Sequence, residues 1–179
     1  MPRYIAFFAS INVGGNRLSM ADLRHACARE GLEDVETVVA SGNLLFSFDE
    51  RPSDGLEDML AHLMADRFDI ESFAAVRSRD ELAAAIAAEP FADGADNLVH
   101  TLFTERAVEP EAFARLVADY EGRGPERLAS GERCLYVDYM AGAGNSRLTN
   151  GFIERRLGCR ITARNRRSLA RILAKMDES

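Results

Sequence analysis

Nowhere does this sequence run 18 apolar residues together, and its start, Met1-Pro2-Arg3, passes straight into a strand pattern with no basic stretch followed by an apolar one. These absences argue against a membrane-spanning helix and a secretory leader, so a cytoplasmic chain with no membrane partner is expected. Cysteine is scarce. Cys27, Cys134 and Cys159 are an odd number at spacings of 107 and 25, which fits neither a disulfide framework nor a zinc pattern. They read as reduced structural thiols, with Cys27 on an apolar helix face beside Met20, Leu23 and Ala26. Lysine is nearly missing, since Lys175 is the one lysine among 22 bases, so the arginine count alone carries no argument for bidentate recognition.

The chain also lacks the short motifs that announce a reaction. It has no Gly-x-Gly-x-x-Gly, no Gly-Lys-Ser/Thr, no His-Glu-x-x-His and no Gly-x-Ser-x-Gly, which removes dinucleotide-fold, P-loop, zincin and nucleophile-elbow readings. His25, His62 and His100 are scattered at no metal-ligand spacing. No metal and no cofactor are expected, and no residue is assigned a catalytic role.

What is present is an alternation of elements that occurs twice. Residues 3 to 9 form a short apolar run and read as a strand; Ser19, with Asp22 three residues later, opens a helix that Gly31 ends. Strand-like runs at 35–40 and 43–48 flank Ser41-Gly42, a hairpin signal. A helix follows Pro52-Ser53, carrying Leu56, Met59, Leu60, Leu63 and Met64 at helical spacing, then a strand at about 70–77. After a capping-box pattern at Ser78 and Glu81 and an alanine-rich helix stopping at Glu89-Pro90, the order begins again. It runs through a strand at 98–104, a helix at 110–120, a strand at 126–129, a turn at Ser130-Gly131 and a strand from Cys134 to Tyr139. A helix at about 149–157, a strand at 160–163 and a last helix to Met176 complete it. Ala40-Ser41-Gly42 and Ala129-Ser130-Gly131 fall at the same place in each half, 89 residues apart. The expected fold is α+β: two tandem ferredoxin-like (βαββαβ) subdomains at 1–77 and 97–179, joined by a linking helix and loop at 78–96 and closed by a C-terminal helix.

That topology gathers polar loops onto two rims. In the first half the loop Asn12, Gly14, Gly15, Asn16 and Arg17 would sit beside Ser41 and Asn43, with a helix N-terminus pointing toward them. The same glycines and asparagines also suit a plain strand-to-helix turn. In the second half Asn145, Ser146, Arg147 and Asn150 would lie near Arg164 and Asn165. Arg164, Arg166 and Arg167 crowd a helix start capped at Asn165, where cations oppose the dipole. An anion, or a carboxylate from elsewhere in the fold, would offset that cost; a solvated basic face is the alternative.

Charge is uneven. Residues 1–90 carry a net −8 and residues 91–179 a net +1, and within 147–175 nine bases stand against Glu154 alone. The basic segment suggests nucleic-acid contact. An RNA-binding stacking platform is nonetheless missing, because Asn43 and Leu45 occupy the strand positions where aromatics belong. The first strand is apolar on both faces, which suggests a cover from the other half or a second copy, hence a homodimer.

Taken together, Arg3-Tyr4-Ile5-Ala6-Phe7, Ile11-Asn12-Val13-Gly14-Gly15-Asn16, Met20-Ala21-Asp22-Leu23, Ala40-Ser41-Gly42-Asn43, Ser146-Arg147-Leu148-Thr149-Asn150 and Ala163-Arg164-Asn165 resemble the bacterial domain-of-unknown-function family 1697. The resemblance implies tandem ferredoxin-like subdomains and no established activity. The chain departs from the family pattern with Ala9-Ser10 in place of Arg-Gly, and with Arg166 in place of Trp. The residues favour a binding module for a small anionic ligand, a nucleotide or phosphorylated metabolite, ahead of nucleic-acid contact or a purely structural role.

Overall fold

A computed structural model describes residues 1–9, 18–40 and 42–178. Among these the chain forms eight strands and six α-helices, divided into two compact units, Met1–Ala83 with Arg171–Ser179, and Ala84–Ala170. No helix among the described residues is long and apolar enough to cross a membrane.

The first unit holds β1 (Arg3–Phe8), α1 (Met20–Arg29), β2 (Glu33–Thr37), β3 (Asn43–Ser47), α2 (Ser53–Phe68), β4 (Ala74–Ser78) and the start of α3 (Arg79–Ala88). Its strands form an antiparallel sheet in the order β2-β3-β1-β4. Alternation along β1 turns Tyr4, Ala6 and Phe8 toward the helices, where they join Leu23, Ala26 and Cys27 of α1 and Leu56, Leu60, Leu63 and Met64 of α2 in one buried cluster. Ile5 and Phe7, on the other face, are fully buried as well.

Helix boundaries follow local chemistry. Ser19 caps α1 by accepting from the Asp22 N–H, and Gly31 leaves it with φ of +93°. Ser78 and Glu81 form the expected capping box, each side chain accepting from the other's backbone N–H. Strand ends are less faithful to the sequence pattern. β4 begins at Ala74 rather than near 70, because Asp69 takes a left-handed conformation at the end of α2 and the chain runs irregularly before pairing. β2 stops at Thr37, and Val39 has φ of +68° in the turn that follows.

The second unit repeats the plan with β5 (Val99–Thr104), α4 (Pro110–Tyr120), β6 (Arg127–Gly131), β7 (Cys134–Asp138), α5 (Asn150–Leu157), β8 (Ile161–Asn165) and the start of α6 (Arg166–Asp177). The sheet order is β6-β7-β5-β8. Leu102, Leu135, Val137 and Ile161 face Leu116 and Tyr120 of α4 and Phe152 and Ile153 of α5. The β6–β7 turn lies two residues later than Ser130-Gly131. Gly131 still pairs with Cys134, and Glu132-Arg133 makes the turn, with Arg133 at φ of +54°. Gly131 fits there because a Cβ would come within 2.7 Å of both Cys134 Sγ and the Tyr136 ring.

One carboxylate guards an outer strand in each unit. Glu57 of α2 accepts from the Val76 N–H of β4 at 2.8 Å, and Glu154 of α5 accepts from the Ile161 N–H of β8 at 3.1 Å.

Candidate functional site

β7 and β8 both run antiparallel to β5, so their C-terminal ends emerge on one rim, where Asp138 and Asn165 lie opposite Val99 and His100. Two connections meet at this rim: the segment from Tyr139 to Thr149, which includes a 3₁₀ turn at Ala143–Asn145, and the segment between α4 and β6. Three side chains tie them together. The Glu126 carboxylate accepts from the Tyr120 hydroxyl at 2.5 Å through one oxygen and from the Ser146 hydroxyl at 2.6 Å through the other. Ser146 Oγ in turn accepts from the Leu148 N–H at 3.0 Å.

Electrostatics follow from that arrangement. Burial alone would raise the Glu126 pKa, but the bonds from Ser146 and Tyr120 outweigh it and hold the carboxyl below its ordinary value. Tyr120 moves up, through burial and then its bond to Glu126, while the positive charge of Arg147 pulls the other way. Gly124 fits against the pair: a Cβ there would come within 2.6 Å of the Tyr120 hydroxyl and closer still to Glu126. Tyr139 belongs to the same buried cluster as Tyr120 and Leu148, and its ring meets His100 edge-on at 4.9 Å. Burial, then the Glu126 charge, pushes the Tyr139 phenol up to about 12.

Around this network stand the polar residues of the second rim. Asn145, Arg147 and Asn150 are exposed, and Arg147 makes no ion pair among the described residues. Thr149 caps α5 by accepting from the Phe152 N–H at 3.1 Å, which fixes the direction in which Asn150 leaves the loop. Ser146 faces inward, committed to Glu126. The other two rim residues are also committed: Asn165 caps α6 by accepting from the Ser168 N–H at 2.8 Å. Arg164 folds back along its own strand onto Thr162 Oγ1 and the Ala163 carbonyl, and burial lowers its pKa to about 10. The structure therefore gathers Asn145, Arg147 and Asn150 and turns Arg164 and Asn165 to local tasks. Of the first rim, Asn43 is buried at the start of β3, opposite Phe7. Asn12, Gly14, Gly15, Asn16, Arg17 and Ser41 lie outside the described residues.

Residues 1–136 match the family described as Protein of unknown function (DUF1697). The chain belongs to that family. A solved structure, described as that of the conserved bacterial protein SP0830 from Streptococcus pneumoniae, is similar with a TM-score of 0.71. It is 24% identical in sequence, with 99% of each chain covered, so the likeness speaks to the fold. No curated protein matches the sequence.

In this member of the family, Arg166 performs a task that sequence reasoning left open. Its guanidinium holds the Glu89 carboxylate, the carbonyls of Phe91 and Gly94 and, at 3.1 Å, the Asp96 carboxylate. A carboxylate from the fold, rather than a bound anion, offsets the cation at the start of α6. Arg127 clamps the same loop, bonding Asp93 at 2.9 Å and the buried Asp138 at 2.6 Å while stacking over Phe91. The basic segment is thus largely neutralised: Arg156, Arg160, Arg166 and Lys175 each face an acid. Arg155, Arg167 and Arg171 join Arg147 as exposed bases.

Sequence reasoning also missed a cleft of about 400 Å³ in the first unit, lined by Arg3, Tyr4, Arg51, Ser53, Arg79 and Glu81 among others. Its arginines are occupied: Arg3 with Glu36, Arg79 with Asp177, and Arg51 over the Phe48 ring. The Tyr120–Glu126–Ser146 network escaped notice as well. Its members are separated by 6 and 20 positions along the chain, at no spacing that marks a motif.

Proposed function

We propose that the chain is a binding module for a small anionic ligand, a nucleotide or phosphorylated metabolite, seated on the second-unit rim at Asn145, Arg147 and Asn150. The observation that carries this reading is Arg147: an exposed cation with no acid partner, next to a serine that a buried network locks in place. A guanidinium held on an ordered loop meets an anion with little further loss of conformational freedom. Asn145 and Asn150 add neutral polar contacts on either side, and the start of α5 favours negative charge.

Two tandem ferredoxin-like subdomains, 1–77 and 97–179 with 78–96 between them, are the fold on which this reading rests. The repeated strand order and the matching helix caps at Ser78 and Asn165 support it. The first rim, with Asn12, Gly14, Gly15, Asn16, Arg17, Ser41 and Asn43, is the second place where the same class of ligand would bind. Reduced thiols and the lack of a leader pattern support a cytoplasmic setting.

A thermal-shift panel of nucleotides and sugar phosphates tests the proposal. Stabilisation by at least one of them, lost in Arg147→Ala, is the expected outcome. No shift across the panel removes the reading.

Nucleic-acid contact is the second reading, favoured by the exposed Arg147, Arg155, Arg167 and Arg171. Four phosphate contacts would give log K against log salt a slope of about −3. A slope steeper than about −6, or none at all, counts against contact through these four residues.

A further inference from the structure

Tyr139 poses a question that the anionic reading leaves unanswered. The residue is 3% exposed, yet its hydroxyl makes no hydrogen bond among the described residues. A buried polar group without a partner costs about 1–3 kcal/mol, and such groups in folded proteins call for an explanation. The phenol does not sit in apolar surroundings, because Glu126 and Tyr120 both act on it electrostatically. Its ring is held by the edge-on contact with His100, and the His100 ring is fixed by Nδ1 against the Leu98 carbonyl at 3.1 Å.

Glu126 has the complementary surplus. Each of its carboxylate oxygens accepts one bond, from Tyr120 and from Ser146, and each has room for another. The rim therefore offers, close together, a donor lacking an acceptor, an acceptor with spare capacity, and the Arg147 cation. A bare anion would suit Arg147 and Tyr139 but would be repelled by Glu126. A cation would suit Glu126 and be repelled by Arg147. A hydroxyl group accepts from one partner and donates to the other, so it alone of the three matches both Tyr139 and Glu126.

We infer that the ligand of this rim is a phosphorylated sugar, its phosphate on Arg147 and a hydroxyl bridging the Tyr139 phenol and the Glu126 carboxylate. The inference rests on the anionic reading above and narrows it from any small anion to one that carries hydroxyls. Nucleotides fall behind in this ranking, because the described rim presents no exposed aromatic face to stack a base.

Isothermal titration of the full chain with glucose 6-phosphate, inorganic phosphate and glucose tests it, in wild type, Tyr139→Phe and Arg147→Ala. Wild type is expected to bind glucose 6-phosphate about tenfold more tightly than inorganic phosphate, as one or two added hydrogen bonds allow. Tyr139→Phe keeps the ring and should bring the two ligands to near parity with phosphate affinity unchanged, whereas Arg147→Ala should weaken both. Equal affinities in wild type, with Arg147→Ala abolishing both, would overturn the sugar inference and leave the anionic reading in place; a water then satisfies Tyr139. A preference that persists in Tyr139→Phe would also overturn it. Binding of neither ligand would overturn both readings.

Discussion

Arg166 Nε donates to Glu89 Oε1 at 2.7 Å, across 77 positions of sequence, and the same guanidinium takes the Gly94 carbonyl at 2.8 Å. The Glu89 side chain is 7% exposed and that of Arg166 22% exposed, so this pair is shielded from water far more than an ordinary surface salt bridge. Arg166→Ala would leave a buried carboxylate and two carbonyls unpaired, at a cost of about 2–4 kcal/mol. Arg166→Lys should recover only part of that, since an ammonium cannot fork across a carboxylate and two carbonyls at once. Denaturant melts measure the difference. A loss below about 0.5 kcal/mol in Arg166→Ala would mean that the clasp is solvated away.

Gly124→Ala should damage the rim without touching a charged group. Its Cβ would press on the Tyr120 hydroxyl and on Glu126, so either the bond between them breaks or the segment before β6 shifts. The expected loss is about 1–3 kcal/mol, with a fall in ligand affinity measured in the same samples. Unchanged melting together with unchanged binding would show that the segment yields freely.

Acid should destabilise the chain in two stages. Burial lowers the His100 pKa, outweighing its bond to the Leu98 carbonyl, so the unfolded chain takes up that proton first. Stability from this source is complete above the ordinary value of 6.5 and falls as pH drops toward the lower folded value. Glu126 and Glu105 are both held below 4.5, the latter chiefly by its bond from Arg160, and their contribution disappears only below that pH. His100→Gln should remove the upper stage and Glu126→Gln should shrink the lower one. A wild-type stability that stays flat between about pH 7 and 5 would contradict the His100 assignment.

Thiol labelling should separate the three cysteines. Burial, aided by Glu30, pushes Cys27 up to about 12, and Cys134 is buried, while Cys159 is partly exposed. Only the thiolate reacts, so mass spectrometry after mild alkylation at pH 8 should find one modified site in the native chain and three after denaturation. Early labelling of Cys27 would show that α1 opens readily.

Much of this architecture was legible in the sequence because its signals are local. Ser19, Ser78 and Asn165 each stand where a short polar side chain reaches a helix amide, and each does so. Apolar spacing likewise placed Leu56, Leu60, Leu63 and Met64 in the core of α2. Strand ends were harder, since Asp69, Val39 and Arg133 take left-handed conformations that their residue types do not advertise. The site was half legible. Asn145, Arg147 and Asn150 read as exposed loop residues and are exposed, but the committed roles of Arg164 and Asn165 depend on neighbours set by folding. Tyr120, Glu126 and Tyr139 were invisible for the same reason: a tyrosine at a helix end, an acid before a strand and a tyrosine after one acquire meaning only when the sheet brings them to one rim.

The two carboxylates that reach from a helix to an outer strand have a bearing on how copies of this protein meet. Glu57 and Glu154 each occupy a backbone donor of β4 or β8 that a neighbouring molecule would need for strand addition. Self-association through continuous sheets is thereby discouraged on those sides and confined to β2, whose ladder with β3 is already broken by a register shift, and β6. A crowded cell therefore meets a protein with two of its four sheet edges obstructed, a property suited to staying dispersed at high abundance.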